Sequence, residues 1–299
     1  MARALELSGV LTATYTPFGA DGRLDEGAYR ALCERLVAAG SGLVPCGTTG
    51  ETPTLDDAEY DRCVAIAVEV ARAGGKRLPV VAGTGSNATA KTIATTRRAR
   101  SLGADAALVV TPYYNKPPQA ALLAHFRAVA DEGGLPILIY NVPSRTSVNL
   151  AAATTLALAE DERFIGVKEA GGQLGQIEAL CARAPRGFAV LSGDDAWTFP
   201  LVALGGHGVV SVAGNVAPTA VVGLVRAALA GDLPAARAQH FRLKPLVDAL
   251  FSTTNPIPLK LAAAMLGHAR ADVRLPLVTD PDPDLVARLR TGLIQAGVL

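Results

Sequence analysis

The sequence predicts an α/β fold, a (β/α)8 TIM barrel followed by a C-terminal helical extension. Three observations carry that expectation. Eight short β-rich runs recur with starts roughly 20 to 36 positions apart, about the length of a strand–loop–helix unit. Helical patterns fall between them. Most of the runs are near-continuously apolar rather than alternating, as in a parallel sheet covered on both faces. At 299 residues the chain is long for an average domain but within the range of one such barrel.

In chain order the runs are Val10–Thr14, Leu43–Cys46, Pro79–Ala82, Ala107–Val110, Ile137–Tyr140, Phe164–Lys168, Phe188–Leu191 and Gly208–Val212. After the first run, Tyr29, Leu32, Cys33 and Leu36 fall at i, i+3, i+4 and i+7, with Gly40 as the stop. Val64, Ala67, Val68 and Ala71 repeat that pattern between Asp56-Asp57 and Gly74-Gly75. From about Pro218 onward no further strand is expected. Helices are predicted near Pro218–Ala230, Pro234–Phe251, Pro258–Gly267 and Pro283–Gln295. The division that follows is a catalytic barrel over residues 1–225 and a helical region over residues 226–299 packed on it.

Half of the residues are hydrophobic and only 18% are charged, against a typical quarter or so. So few charges predict a large core together with buried subunit contacts. The 28 basic and 27 acidic side chains leave a net charge of +1, which provides no general attraction to nucleic acid or anionic lipid. The stretch Thr219–Ala230 is too short for a bilayer and is broken by Arg226. The first residues lack the apolar core of a signal peptide. Cys33, Cys46, Cys63 and Cys181 show no paired spacing and read as small buried hydrophobes in a reducing compartment. A soluble cytoplasmic protein is expected.

The strand assignment places the polar clusters. Gly47-Thr48-Thr49-Gly50-Glu51, Thr111-Pro112-Tyr113-Tyr114-Asn115, Tyr140-Asn141, Lys168-Glu169 and Ser192-Gly193-Asp194 all follow strands. They therefore gather at the C-terminal face of the barrel, where barrel enzymes carry their chemistry. One amine lies among these hydroxyls. Of six lysines, Lys76, Lys91, Lys116, Lys244 and Lys260 lie in turns or helical patterns and are expected to be solvated. Lys168 ends a strand and points into the barrel mouth. Pairing with Glu169 is the bland alternative, but alternation sends that neighbour to the opposite side. A free lysine is neutral about one part in a thousand near pH 7.4, and removal from water favours the neutral form. Neutral amines attack carbonyls to form Schiff bases, and nearby hydroxyls can move the protons this requires. A carbonyl-condensing or carbonyl-cleaving enzyme follows.

Other patterns carry less. Gly83-Thr84-Gly85-Ser86-Asn87-Ala88 matches a dinucleotide fingerprint, but after the third strand rather than the first. A glycine-rich barrel loop is the better account. The same segment misses a P-loop because Ala90 replaces its second glycine. His125, His207, His240 and His268 are isolated and predict no zinc site. No G-x-S-x-G elbow is present. Arg145 reads equally as a solvated loop residue or as a carboxylate binder.

The clusters above, with Val142-Pro143-Ser144-Arg145-Thr146, Ser192-Gly193-Asp194-Asp195, Gly205-Gly206-His207-Gly208-Val209-Val210-Ser211 and Asn255-Pro256-Ile257-Pro258, resemble the dihydrodipicolinate synthase family of the N-acetylneuraminate lyase superfamily. The resemblance runs from about Leu7 to Leu299 and keeps the order of every motif. It implies a class I, carbon–carbon-bond-forming lyase of lysine and diaminopimelate biosynthesis that joins pyruvate to L-aspartate 4-semialdehyde. Lys168 would form the Schiff base with C2 of pyruvate. Tyr140 would donate and accept the proton, with Thr48 and Tyr114 completing a hydroxyl relay. Tyr114 would reach into a neighbouring subunit, which implies a homo-oligomer, a tetramer built as a dimer of dimers. Thr49 would bind the pyruvate carboxylate, Gly193 and Val210 would offer backbone contacts, and Arg145 would hold the semialdehyde carboxylate. No metal or organic cofactor is implied, because the enzyme-bound imine is the electron sink.

Two rivals remain at this level. One is another pyruvate-dependent aldolase, acting on sialic acid or a 2-keto-3-deoxy sugar acid; the Thr48-Thr49 pair and Arg145 favour the synthase. The other is a non-catalytic ketoacid-binding barrel, which has no need of a nucleophile and a relay together. The chain also departs from the resemblance. Lysine-inhibited members bind their effector through a histidine pair and a glutamate, where this chain has Asp57, Tyr60 and Lys91 beside Asn87 and Tyr113. Lys91 sets a cation against the effector's ammonium groups, so weak or absent lysine inhibition is expected. Gly171-Gly172 replaces a more usual Thr or Ser followed by Gly.

Overall fold

The computed structural model describes residues 5–73, 77–279 and 281–299. Eight parallel strands are present: β1 (Gly9–Ala13), β2 (Gly42–Val44), β3 (Val81–Gly83), β4 (Ala106–Val110), β5 (Ile137–Asn141), β6 (Phe164–Glu169), β7 (Ala189–Ser192) and β8 (Gly208–Ser211). They are hydrogen-bonded in the order β2-β1-β8-β7-β6-β5-β4-β3. The bridge Leu43↔Val80 then joins the two ends and closes the barrel. All eight predicted strands are present, with ends displaced by one or two residues. Each was recognisable because its residues are apolar on both faces.

The helices among the described residues are α1 (Glu26–Ala38), α2 (Asp57–Ala73), α3 (Thr89–Ser101), α4 (Gln119–Gly133), α5 (Pro143–Thr146), α6 (Ala152–Ala159), α7 (Leu174–Arg183), α8 (Thr198–Ala203), α9 (Pro218–Leu229), α10 (Leu233–Leu250), α11 (Ile257–Met265) and α12 (Pro283–Ala296). Helix α1 is capped by Asp25, whose carboxylate accepts from the Ala28 amide. It buries the four periodic residues Tyr29, Leu32, Cys33 and Leu36. Helix α2 buries Val64, Ala67, Val68 and Ala71 as its spacing predicts; Gly74-Gly75, read as its stop, lies outside the described residues.

Strand alternation sorts the core into two layers. Leu11, Ala13, Val44, Val81, Leu108, Leu138, Tyr140, Leu191 and Val210 fill the barrel interior. Val10, Leu43, Ala82, Val109, Ile139, Val167, Val190 and Val209 face the helices. Residue 225, the predicted boundary, lies inside α9, which packs on β1 and β8 and so belongs to the barrel wall. Helix α10 then packs on α9 and α12. No described helix is long and apolar enough to cross a membrane. Cys33, Cys46 and Cys63 are buried free thiols, while Cys181 is only half-buried.

Candidate active site

The functional face is assembled from strand ends. Lys168 and Tyr140 are paired in register on β6 and β5. The Lys168 Nζ lies 4.0 Å from the centroid of the Tyr140 ring. Lys168 is 5% exposed, and no described carboxylate lies within ion-pair distance of it. Its inward aim depends on an irregularity. Ile137 pairs with Phe164 but Leu138 pairs with Gly166, leaving Ile165 as an extra residue. Ile165 packs inside the barrel and Val167 outside. Unbroken alternation from Ile165 would have turned Lys168 outward; the bulge reverses the parity.

The residue after each of these two locks the arrangement from behind. Glu169 accepts hydrogen bonds from Asn141 Nδ2 at 3.0 Å, from Gln176 Nε2 at 2.8 Å and from the Gly171 amide at 2.6 Å. Glu169 therefore has partners of its own on the outer face and is no counterion for Lys168. Burial raises its carboxyl above the usual range, opposed by these three donors.

Gly193 makes room for the amine. A Cβ at this position would sit 2.7 Å from Ala170 Cβ, 3.0 Å from Lys168 Cγ and 3.1 Å from Lys168 Cε. Gly193→Ala should therefore displace the lysine and lower kcat/KM by about 10²-fold, the usual consequence of a misplaced reacting group. Steady-state assays on the folded variant check this; unchanged kcat/KM would show that the lysine has room to spare. Val210 lies in the interior layer beside Leu11 on β1. Asp195 joins the ends of β7 and β8, accepting from Ser211 Oγ at 2.5 Å and from the Val212 and Ala213 amides at 2.8 and 3.1 Å.

Thr48 and Thr49 lie on a single 3-10 turn, Thr48–Gly50, after β2. Thr49 is buried and accepts from Asn255 Nδ2 at 3.0 Å. A hydroxyl holds one proton, so this contact leaves Thr49 free to donate to an anion. Thr48 is half-buried. Arg145, on the short α5, is exposed, with Nη2 3.5 Å from the Asn255 carbonyl, the outer limit of a hydrogen bond. Asn255 thus contacts both predicted carboxylate-binding residues. In the sequence alone Asn255 carries no assigned role; the Asn255-Pro256-Ile257-Pro258 string is the signal that marks it.

Tyr114 is not gathered with the others. It is 88% exposed, with a φ of 73°, on the loop after β4. Among the described residues no hydrogen bond joins Thr48, Tyr114 and Tyr140 within the chain. Gly83 and Gly85, part of the apparent dinucleotide fingerprint, serve backbone packing. Cβ atoms there would lie 2.0 Å from the Cys46 carbonyl oxygen and 2.4 Å from the Val110 amide.

One sequence expectation is overturned. Lys260 was expected to be solvated, yet it is 0% exposed, with Nζ 2.5 Å from Glu51 Oε1. Helical periodicity alone cannot distinguish an outward lysine from one turned to a buried acid on a distant loop. Lys91, Lys116 and Lys244 are exposed as expected, and Lys76 lies outside the described residues.

Residues 6–284 match the model of the Dihydrodipicolinate synthetase family. The chain belongs to that family. It is 52% identical over 272 residues to the 4-hydroxy-tetrahydrodipicolinate synthase of Thermomicrobium roseum, covering 91% of this chain and 89% of the relative. Among solved structures, dihydrodipicolinate synthase from Aquifex aeolicus superposes with a TM-score of 0.92 at 44% identity, covering 98% of this chain and 99% of that one. The enzyme from Cyanidioschyzon merolae with lysine bound superposes with a TM-score of 0.93 at 38% identity, covering 98% and 99%. The family match covers the barrel together with α10 and α11 and ends at the start of α12, while the Aquifex aeolicus structure superposes over 98% of this chain.

Proposed function

We propose that this protein is a 4-hydroxy-tetrahydrodipicolinate synthase, condensing pyruvate with L-aspartate 4-semialdehyde through a Schiff base on Lys168. The observation that carries the reading is the buried Lys168 amine, without a carboxylate partner, against the Tyr140 ring at the barrel mouth. Lys168 Nζ attacks the C2 ketone of pyruvate, water leaves, and the imine forms. Loss of a methyl proton gives the enamine, which attacks the aldehyde carbon of the semialdehyde. The semialdehyde nitrogen then displaces Nζ by transimination, closing the ring and freeing the lysine.

In this reading Tyr140 transfers the protons, with Thr48 and Tyr114 as relay. Thr49 binds the pyruvate carboxylate, assisted by backbone groups of Gly193 and Val210, and Arg145 orients the semialdehyde carboxylate. The imine serves as electron sink, so neither metal nor organic cofactor takes part. The exposed Tyr114 suits a side chain that completes a neighbouring subunit's relay, which supports a homo-oligomer; in this reading the assembly is a tetramer, a dimer of dimers, in the cytoplasm. The barrel, through the end of α9, carries the catalysis, and the helical region that follows packs on it.

The deciding assay compares pyruvate-dependent consumption of aspartate semialdehyde with cleavage of N-acetylneuraminate and of 2-keto-3-deoxygluconate. Condensation should dominate. Faster cleavage of either sugar acid would make the protein a pyruvate lyase instead.

Feedback inhibition by lysine should be weak or absent. Tyr60 is buried and donates to the Gly83 carbonyl at 3.1 Å, so it is committed to packing. Asp57 is held by Arg98 at 2.7 Å, and that guanidinium also binds Asp61. Lys91 is exposed on α3. Asp57 and Asp61 are thus already ion-paired, and the added cation repels an ammonium group. Titration with lysine at saturating pyruvate tests this; strong inhibition at submillimolar lysine would refute it.

A further inference from the structure

We propose that the buried ion pair between Glu51 and Lys260 sets the position of the Thr48–Thr49 turn, making both residues positioning residues for the ketoacid carboxylate. The inference rests on the role given to Thr49 above.

Glu51 directly follows the Thr48–Gly50 turn and has a φ of 53°, a left-handed conformation uncommon for a residue with a side chain. Such a conformation persists only where the surroundings hold it. Here its carboxylate is held on both oxygens. Lys260 Nζ approaches Oε1 at 2.5 Å, and the Arg274 amide donates to Oε2 at 2.9 Å. The contact with Oε1 is a charge contact rather than an aligned hydrogen bond. Lys260 Nζ itself donates to the Asp272 carbonyl at 2.8 Å and lies 4.0 Å from the centroid of the Phe18 ring. Burial pushes its ammonium down to about 8, against the pull of Glu51.

Lys260 sits on α11, and Asn255, which donates to Thr49, lies just before that helix. The C-terminal region therefore grips the turn at two points, Thr49 and Glu51. A third tie comes from the barrel, where Thr16 Oγ1 donates to the Gly50 carbonyl at 2.8 Å. Two fully buried charges are a poor source of net stability compared with apolar groups of similar volume. The placement of Glu51 two residues after Thr49, with Lys260 held against it, gives the pair a use in geometry.

The test uses the full-length protein. Glu51→Gln combined with Lys260→Met removes both charges at similar volume and leaves no lone buried ion. The double variant should fold, with the pyruvate KM raised about tenfold and kcat changed less than about threefold. Borohydride trapping of pyruvate should then need correspondingly higher pyruvate. Glu51→Asp with Lys260→Arg, a shorter acid facing a longer base, should restore much of the pyruvate affinity. A wild-type pyruvate KM in the folded neutral pair would reduce the contact to a structural one and overturn the proposal. If the neutral pair does not fold, Glu51→Asp alone decides, since it withdraws the carboxylate by one methylene; a wild-type KM there also overturns it. Absence of any borohydride adduct in the wild-type protein would sink the Schiff-base reading and this inference with it. A wild-type adduct with unaffected variants would sink this inference alone.

Discussion

Replacing Lys168 with alanine or arginine should lower the condensation rate by a factor on the order of 10⁴ or more, the scale seen when a covalent nucleophile is removed. Borohydride reduction in the presence of pyruvate should add the mass of a reduced pyruvyl group to the peptide containing Lys168, and to no peptide of either variant. The expectation follows from geometry. Among the described residues two lysines are buried. Lys260 has a carboxylate against it, whereas Lys168 has no ion-pair partner among the described residues, with its Nζ 4.0 Å from the Tyr140 ring centroid and Gly193 beside its side chain. A guanidinium at position 168 would keep a charge but cannot form the imine, so the arginine variant separates nucleophilic chemistry from simple anion attraction. Normal turnover by Lys168→Arg, or a missing adduct on the wild-type peptide, would end the Schiff-base mechanism.

Arg145→Ala should raise the KM for aspartate semialdehyde roughly 10- to 150-fold, the equivalent of one charge-assisted hydrogen bond of about 1.5–3 kcal/mol. Imine formation with pyruvate should change little. The asymmetry is expected because Arg145 follows β5 on a helix of four residues, exposed at the rim, while pyruvate is assigned to Thr49 deeper in the barrel. Among the described residues its side chain makes one long hydrogen bond, to the Asn255 carbonyl, and so retains donors for a ligand. Borohydride trapping reads the first half-reaction and steady-state kinetics the whole. Equal damage to both would move Arg145 from the semialdehyde to the pyruvate carboxylate or to the loop itself.

The positions of the strands were legible because each is a short apolar run bounded by turn residues. Once eight strands alternate with helices, the polar clusters that follow them must share one face. The amine at the end of β6 and the threonine pair after β2 were therefore readable in place before any contact was known. Periodicity likewise identified the buried faces of α1 and α2, since a stripe at i, i+3, i+4 and i+7 has only one way to meet a sheet.

The barrel, the face that carries the chemistry and the residue types on it thus follow from local patterns along the chain. Tertiary structure alone decided three things. The extra residue Ile165 turns Lys168 inward, a parity change that depends on register with β5 and leaves no mark in composition. Asn255 reaches Thr49 across 206 positions and Lys260 reaches Glu51 across 209, so neither pairing has a local signal. Tyr114 lies on an exposed loop after β4, with no hydrogen bond to Thr48 or Tyr140 among the described residues. The physical reason is common to all three. Backbone periodicity is a property of neighbours along the chain, whereas register, exposure and the partner of a buried polar group are set by which distant segments the closed barrel brings together.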